Sequence, residues 1–138
     1  MYKELVISII IVILIVSLDI YTQKYTDETV SVTTDNLYEL KTEIQNNNSA
    51  NEEILEKITN IYDEWQNYHE KLVLYIEHNE LEKVETDLVT CKSYIEFENY
   101  DLAVAELEKT VYVLKHINDK YEFTLENIFW GGINFLNK

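Results

Sequence analysis

The chain has 138 residues, enough for one domain, and its 26 acidic and 11 basic residues give a formal net charge of −15. All 11 basic residues are lysines, and they are outnumbered by acidic residues that repel nucleic-acid phosphates. Nucleic acid is therefore excluded from the expected partners. A single cysteine excludes an intramolecular disulfide, and the absence of proline with only two glycines removes the turns that β-sandwiches and phosphate loops need. The composition therefore predicts an all-α chain.

The N-terminal segment predicts a membrane anchor. Residues 5–18 comprise twelve large aliphatic residues and two serines. Counting from Tyr2 to Tyr21 gives about 30 Å of helix with a tyrosine at each end, where a membrane's aromatic belt lies. No small-residue cleavage pattern follows the apolar run. A transmembrane signal-anchor helix over residues 1–22 is therefore favoured over a cleaved signal peptide and over a buried core helix.

The charges beside this segment give a weak orientation signal. Lys3 and the α-amino group precede the apolar run, and Lys24 follows it. A leader of four residues is more easily kept in the cytosol than carried across the membrane. We therefore expect a single-pass cell-membrane protein with its N-terminus inside and the bulk of its chain on the extracytoplasmic side.

Residues 23–129 are predicted to form a helical bundle domain of about four helices, packed as antiparallel hairpins. Apolar residues recur every three or four positions, the spacing that places them on one face of a helix. The four predicted faces carry Val30, Thr33, Leu37, Leu40 and Ile44; Ile54, Ile58, Ile61, Trp65, Tyr68, Leu72 and Tyr75 or Ile76; Leu81, Val84, Leu88, Cys91 and Ile95; and Ala103, Leu107, Val111, Leu114 and Ile117.

Polar breaks separate these helices. Ser49 and Glu52 match a capping box at the start of the second helix, for which about 25 residues are predicted, and Asn79 with Glu82 predicts a second cap. The segment from Asn99 to Leu107 resembles one tetratricopeptide hairpin. Such repeats need at least three copies to bury a core, so a compact bundle is the better prediction.

The C-terminal region predicts one more short helix, carrying Phe123, Leu125, Ile128 and Phe129. Residues 130–138 then form an apolar tail without a polar face. Two interpretations stay open for this tail: it docks on the bundle, or it touches a partner or the membrane.

The sequence predicts no catalytic, cofactor-binding or metal-binding residues, and hence no enzyme. The Glu-x-x-His motif of di-iron bundles is absent, because Gln66, Tyr75 and Val113 stand three residues before the three histidines. Cys91 lies among apolar residues, which favours an inert core thiol over a nucleophile. The turn at residues 77–80 groups two carboxylates and an imidazole, either as a solvated turn or as a weak cation site.

Several segments together resemble a known bacterial family. They are the anchor, the helix around Trp65, the turn at 77–81, KSYIE at 92–96, AxAEL at 103–107, LKHI at 114–117 and TLENIF at 124–129. They resemble short membrane-anchored, all-helical proteins of Gram-positive anaerobes that are catalogued only as a domain of unknown function. The resemblance implies an anchor and an extracytoplasmic helical domain, and it brings no catalytic residues.

The functional hypothesis is a membrane-tethered module for protein–protein interaction or scaffolding in the cell envelope. Its expected partners are the membrane and another membrane or envelope protein, and an oligomer is compatible with the sequence. The candidate interaction residues are Trp65, Tyr68, Trp130 and Phe135. The alternative hypothesis is a ligand- or cation-sensing helical domain that uses the turn at 77–80.

Overall fold

The computed structural model describes residues 1–46 and 49–122, and within them the fold is all-α. The helices are α1 (Tyr2–Asn46), α2 (Asn51–Leu72), α3 (His78–Glu96) and α4 (Tyr100–Tyr121). The predicted fold class, an apolar N-terminal helix leading into a helical bundle, is confirmed. The predicted short helix from Phe123 to Phe129 and the tail at 130–138 lie outside the described residues.

The four helices form a closed bundle. Each helix packs against the next one in the chain, and α4 returns to pack against α1. Short turns join α2 to α3 and α3 to α4, so these neighbours run antiparallel. Because α4 returns to α1, the helices close into a compact bundle, whereas tetratricopeptide hairpins stack in an open array. A compact bundle was the prediction, since the sequence holds only one tetratricopeptide-like copy.

The core consists of the apolar faces that the residue spacing predicted. Trp65 is its largest fully buried side chain. The fully buried leucines and isoleucines around it are Leu37, Leu40, Ile58, Leu72, Leu81, Leu88, Ile95, Leu107, Leu114 and Ile117. Burial of such side chains, each contributing about 1.5–3 kcal/mol, is the main stabilising term for the bundle.

Helix α1 combines the predicted anchor and the first bundle helix. It runs for 45 residues without a break, a length of about 68 Å. Its side chains are exposed as far as Leu18, and the first buried one is Thr26. Between Leu18 and Thr26 the helix therefore changes only in what it packs against, and its backbone stays helical throughout.

Both predicted caps are wrong in detail. Helix α2 is preceded by Ala50, which makes no side-chain capping bond, and Ala50 accepts backbone bonds from Glu53 and Ile54. Helix α3 begins at His78 after Glu77, because the Glu77 carbonyl already accepts the Glu80 amide at 3.0 Å. Asn79 therefore lies inside the first turn, where it cannot cap.

The turns at the two ends of the bundle differ from the predicted breaks. Helix α2 has 22 residues and ends at Leu72, and residues 73–77 form the turn that was expected at 77–80. At the other end Glu98 has φ of 54°, the left-handed conformation in which a helix commonly stops. The neighbouring Phe97 is 81% exposed.

Candidate functional site

The apolar half of α1 is an unpartnered hydrophobic surface. Its large side chains from Leu5 to Ile20 are each exposed by 42% or more. Soluble monomers rarely expose contiguous apolar patches larger than a few hundred Å², because water disfavours them. In the described part of the chain α1 is the one helix with the length and composition to cross a membrane, and none of its most apolar window is buried.

Three other helix ends meet α1 where this apolar surface stops. We call this region the anchored end, after the anchor that the sequence predicts at the start of α1; it comprises residues 19–26, 71–80 and 120–122. The Tyr75 hydroxyl lies 3.1 Å from Oγ1 of Thr26 and donates to the Thr22 carbonyl oxygen at 3.3 Å. These contacts begin one residue after Tyr21, so no free stalk separates the apolar segment from the bundle.

Aromatic packing reinforces the anchored end. The rings of Tyr25 and Tyr68 meet edge to face at 6.5 Å, and Nζ of Lys71 lies 5.3 Å from the centre of the Tyr25 ring. Burial, together with the nearby charge of Glu64, raises the pKa of Tyr68. Tyr68, predicted as an interaction residue, is thus a half-buried residue that contacts α1.

Lysines pair with the carboxylates of the predicted cation turn. Nζ of Lys120 lies 3.3 Å from Glu77 and 3.5 Å from Glu80, and Lys83 lies 3.3 Å from Glu80. Burial raises the pKa of Glu80, but the hydrogen bond and charge of Lys83, with Lys120, hold it below its usual value. Within residues 1–46 and 49–122, no group of three or more His, Cys, Asp or Glu could hold a metal ion.

A histidine pair lies next to this turn, and sequence reasoning missed it. His69 of α2 and His78 of α3 stack with ring centres 5.5 Å apart and planes 26° apart. His78 is 3.0 Å from Glu82, and His69 is 3.7 Å from Glu85. The pair depends on how two antiparallel helices meet, and residue spacing within one helix carries no signal of it.

Cys91 is a core residue, as its sequence position predicted. It is fully buried, and Sγ lies 3.5 Å from the carbonyl oxygen of Ala103. Burial, with a contribution from Glu106, raises the pKa of the thiol to about 12. Because the reactive form is the thiolate, this environment suppresses nucleophilic chemistry.

The remaining candidate interaction residues fall in two places. Trp65 is fully buried in the bundle core, because its helix face packs inward, and it is not open to a partner. Trp130 and Phe135 lie outside the described residues.

The fold and the anchored end together define a class of protein, a four-helix bundle whose first helix extends into an apolar segment. The chain belongs to the family described as domain of unknown function (DUF4363), whose family model matches residues 20–128. The match therefore begins at Ile20, where the apolar segment ends. No curated protein and no solved structure matches the chain.

Proposed function

We propose that this protein is a single-pass, membrane-tethered helical module that binds another protein of the cell envelope and has no catalytic activity of its own. One observation carries the proposal: the exposed apolar segment and the first bundle helix are the same continuous helix, α1. Such a helix transmits a fixed position from the bilayer to the bundle. A separate anchor on a flexible linker would not.

The energetics support a membrane location for the first half of α1. Its twelve large aliphatic residues favour insertion by about −4 to −7 kcal/mol on a scale of −0.3 to −0.6 each. Twenty residues from Tyr2 to Tyr21 span about 30 Å, the thickness of the hydrocarbon core. Glu4 and Asp19 then fall near the two boundaries, where a charge costs little.

The surface of the bundle supports a protein partner. The α3–α4 hairpin exposes four large apolar side chains away from the anchor: Val89, Phe97, Leu102 and Tyr112. By contrast, the exposed face of α2 from Asn51 to Leu72 has no large apolar residue. Aromatic residues such as Phe and Tyr are enriched at protein interfaces relative to the rest of the surface.

Membrane tethering is tested by fractionation. The full chain should stay in the membrane pellet after an alkaline wash and leave it only with detergent. The double variant Ile10→Lys, Leu14→Lys should be lost from the pellet, since each lysine at the centre of a span costs about 2.5–3.5 kcal/mol. The matched control Tyr112→Lys should stay with the membrane. Release of the unaltered chain by the alkaline wash would contradict the proposal.

Sidedness is tested with a thiol at the far end of the bundle. A Cys91→Ala, Phe97→Cys variant should react in intact cells with a reagent that cannot cross the membrane, since position 97 is 81% exposed. Reaction only after the cells are broken would place the bundle in the cytosol.

The partner is tested by photo-crosslinking in cells. A crosslinking amino acid at Tyr112, on the α3–α4 hairpin, should give one discrete adduct with another membrane or envelope protein. The same amino acid at Glu39, a solvent-facing position of α1, should give none. Adducts of equal intensity from both positions, or none from either, would contradict binding through the hairpin.

A further inference from the structure

The anchored end carries an apolar surface that its own fold leaves open. In the turn after α2, the flanking Leu72 and Ile76 are buried at 1% and 3% exposure. Between them Val73 is 40% exposed and Leu74 is 82% exposed. The turn itself is fixed, because backbone amides at 73–76 all donate to carbonyls of residues 69–72.

The level of this turn relative to the apolar segment is set by Tyr75. Its hydroxyl reaches the Thr22 carbonyl, one residue beyond Tyr21. Leu74 immediately precedes Tyr75, so its backbone lies about one tyrosine side-chain length from the Thr22 carbonyl, next to the level where the span ends. The polar interfacial layer of a bilayer is about 5–7 Å thick on each side.

From this placement we infer that Val73 and Leu74 insert into the interfacial layer of the bilayer, so that the bundle is seated on the membrane at a second point besides α1. The inference rests on the proposed membrane location and adds to it a lipid-binding surface. Its occupant is the lipid interface, because the exposed apolar side chains of Val73 and Leu74 adjoin Tyr75, which contacts α1 immediately after its apolar segment.

The charges at this end fit such a contact. The carboxylates of Glu77 and Glu80 pair with Lys120, which reduces repulsion from anionic headgroups. The chain as a whole carries a net charge of −15, so general electrostatic attraction to anionic lipid does not hold it there. The contact is apolar, and added salt should not weaken it.

Depth-dependent quenching tests the inference on the full chain. A fluorophore is attached to single cysteines in the Cys91→Ala background, and the protein is reconstituted in phosphatidylcholine vesicles with brominated acyl chains. Three positions are compared: Leu74→Cys at the anchored end, Phe97→Cys in the exposed turn at the opposite end, and Val12→Cys within the span. The two turn positions are matched in exposure, at 82% and 81%.

The inference predicts strong quenching at position 12, quenching by about half at position 74 and none at position 97, because the bromines reach only residues in the hydrocarbon core or in the adjoining interfacial layer. The value at position 74 should be the same at low and high salt. Quenching at 12 with positions 74 and 97 equally unquenched would overturn the inference and leave the membrane tether intact. Absence of quenching at position 12 would instead overturn the proposed function.

Discussion

The hydroxyl of Tyr75 lies 3.1 Å from Oγ1 of Thr26 and donates to the Thr22 carbonyl oxygen, joining the turn after α2 to α1 one residue beyond its apolar segment. This contact holds α1 at the point where it passes from its apolar segment into the bundle. It makes the apolar segment and the bundle one mechanical unit.

Replacing Tyr75 by Phe should therefore destabilise the bundle by about 1 kcal/mol, since an internal hydrogen bond contributes about 0.5–1.5 kcal/mol. The measurement is guanidinium unfolding of the full chain in detergent micelles, followed by circular dichroism. Tyr112→Phe is the matched control, because Tyr112 is 73% exposed. Equal losses in the two variants would show that the Tyr75 contact contributes nothing.

Trp65 should be the most sensitive core position. It is fully buried, so Trp65→Ala should cost about 3–5 kcal/mol by leaving a large cavity. In the described part of the chain its indole N–H has no hydrogen-bond partner. Trp65→Phe removes that unsatisfied donor and retains a ring, so its cost should be less than half as large. A loss below about 1 kcal/mol for Trp65→Ala would contradict the core assignment.

Alkaline pH should weaken the fold. Burial is the main cause that raises the pKa of Tyr62, Tyr68 and Tyr75 above the ordinary value of 10.0. The folded state disfavours the phenolate form of these tyrosines. The stability that their neutral form contributes is therefore fully present below about pH 10 and is lost as the pH rises through the raised pKa values. The guanidinium midpoint should therefore fall as the pH rises above about 10, the ordinary pKa of tyrosine.

Tyrosinate absorbance, recorded over the same pH range, shows whether the fall in the guanidinium midpoint accompanies ionisation of the tyrosines. The Tyr62→Phe, Tyr68→Phe variant should show a shallower decline, whereas Tyr112→Phe should follow the unaltered chain. A midpoint that stays constant or rises over this range would contradict the burial of these phenols.

The ion pair between Lys109 and Asp87 should contribute more than an exposed pair. Nζ of Lys109 lies 2.7 Å from Oδ1 of Asp87, whose side chain is 6% exposed. Within the described residues, Oδ2 of Asp87 has no hydrogen-bond partner. Lys109→Met leaves this carboxylate buried without its cation. The free energy of unfolding should fall by about 1–2 kcal/mol, the lower part of the range of about 1–3 kcal/mol for an unsatisfied buried group, because the lysine is half exposed.

Lys41→Met is the comparison, because Lys41 pairs with the largely exposed Glu108. That change should cost about 0–1 kcal/mol. Adding Asp87→Asn to Lys109→Met should restore part of the lost stability, since the amide carries no charge. Equal costs for the two lysine variants would show that burial of Asp87 does not matter.

The sequence predicted the packing faces well because helical periodicity is local. The spacing of Ile54, Ile58, Ile61 and Trp65 places them on one face of any helix, whatever that helix meets. Helix ends were predicted less well, since Ser49 and Asn79 suit a cap but the backbone starts each helix elsewhere. The contacts of Tyr75 with α1 and the stacking of His69 on His78 depend on tertiary packing, which one sequence does not encode locally.

The continuity of α1 was also beyond local reasoning. Apart from Ile20 and two tyrosines, residues 19–27 are polar, and their composition suits a helix or a linker equally well. The bundle decides the outcome, because Thr22 and Thr26 are held by Tyr75 in the helical conformation. The stretch contains no proline or glycine, so no residue in it opposes the helical conformation.

The central claim is that one rigid helix passes from the bilayer into the bundle. Its most direct test is a distance measurement between spin labels in a Cys91→Ala, Val12→Cys, Val32→Cys variant of the full chain in lipid vesicles. Both positions are exposed, and the 20 helical residues between them rise about 30 Å along the axis. Because the two labels then lie on opposite sides of the helix, a single narrow distribution is predicted at this distance or slightly above it. A broad distribution, or one centred well below that distance, would show a hinge between anchor and bundle and would contradict the account.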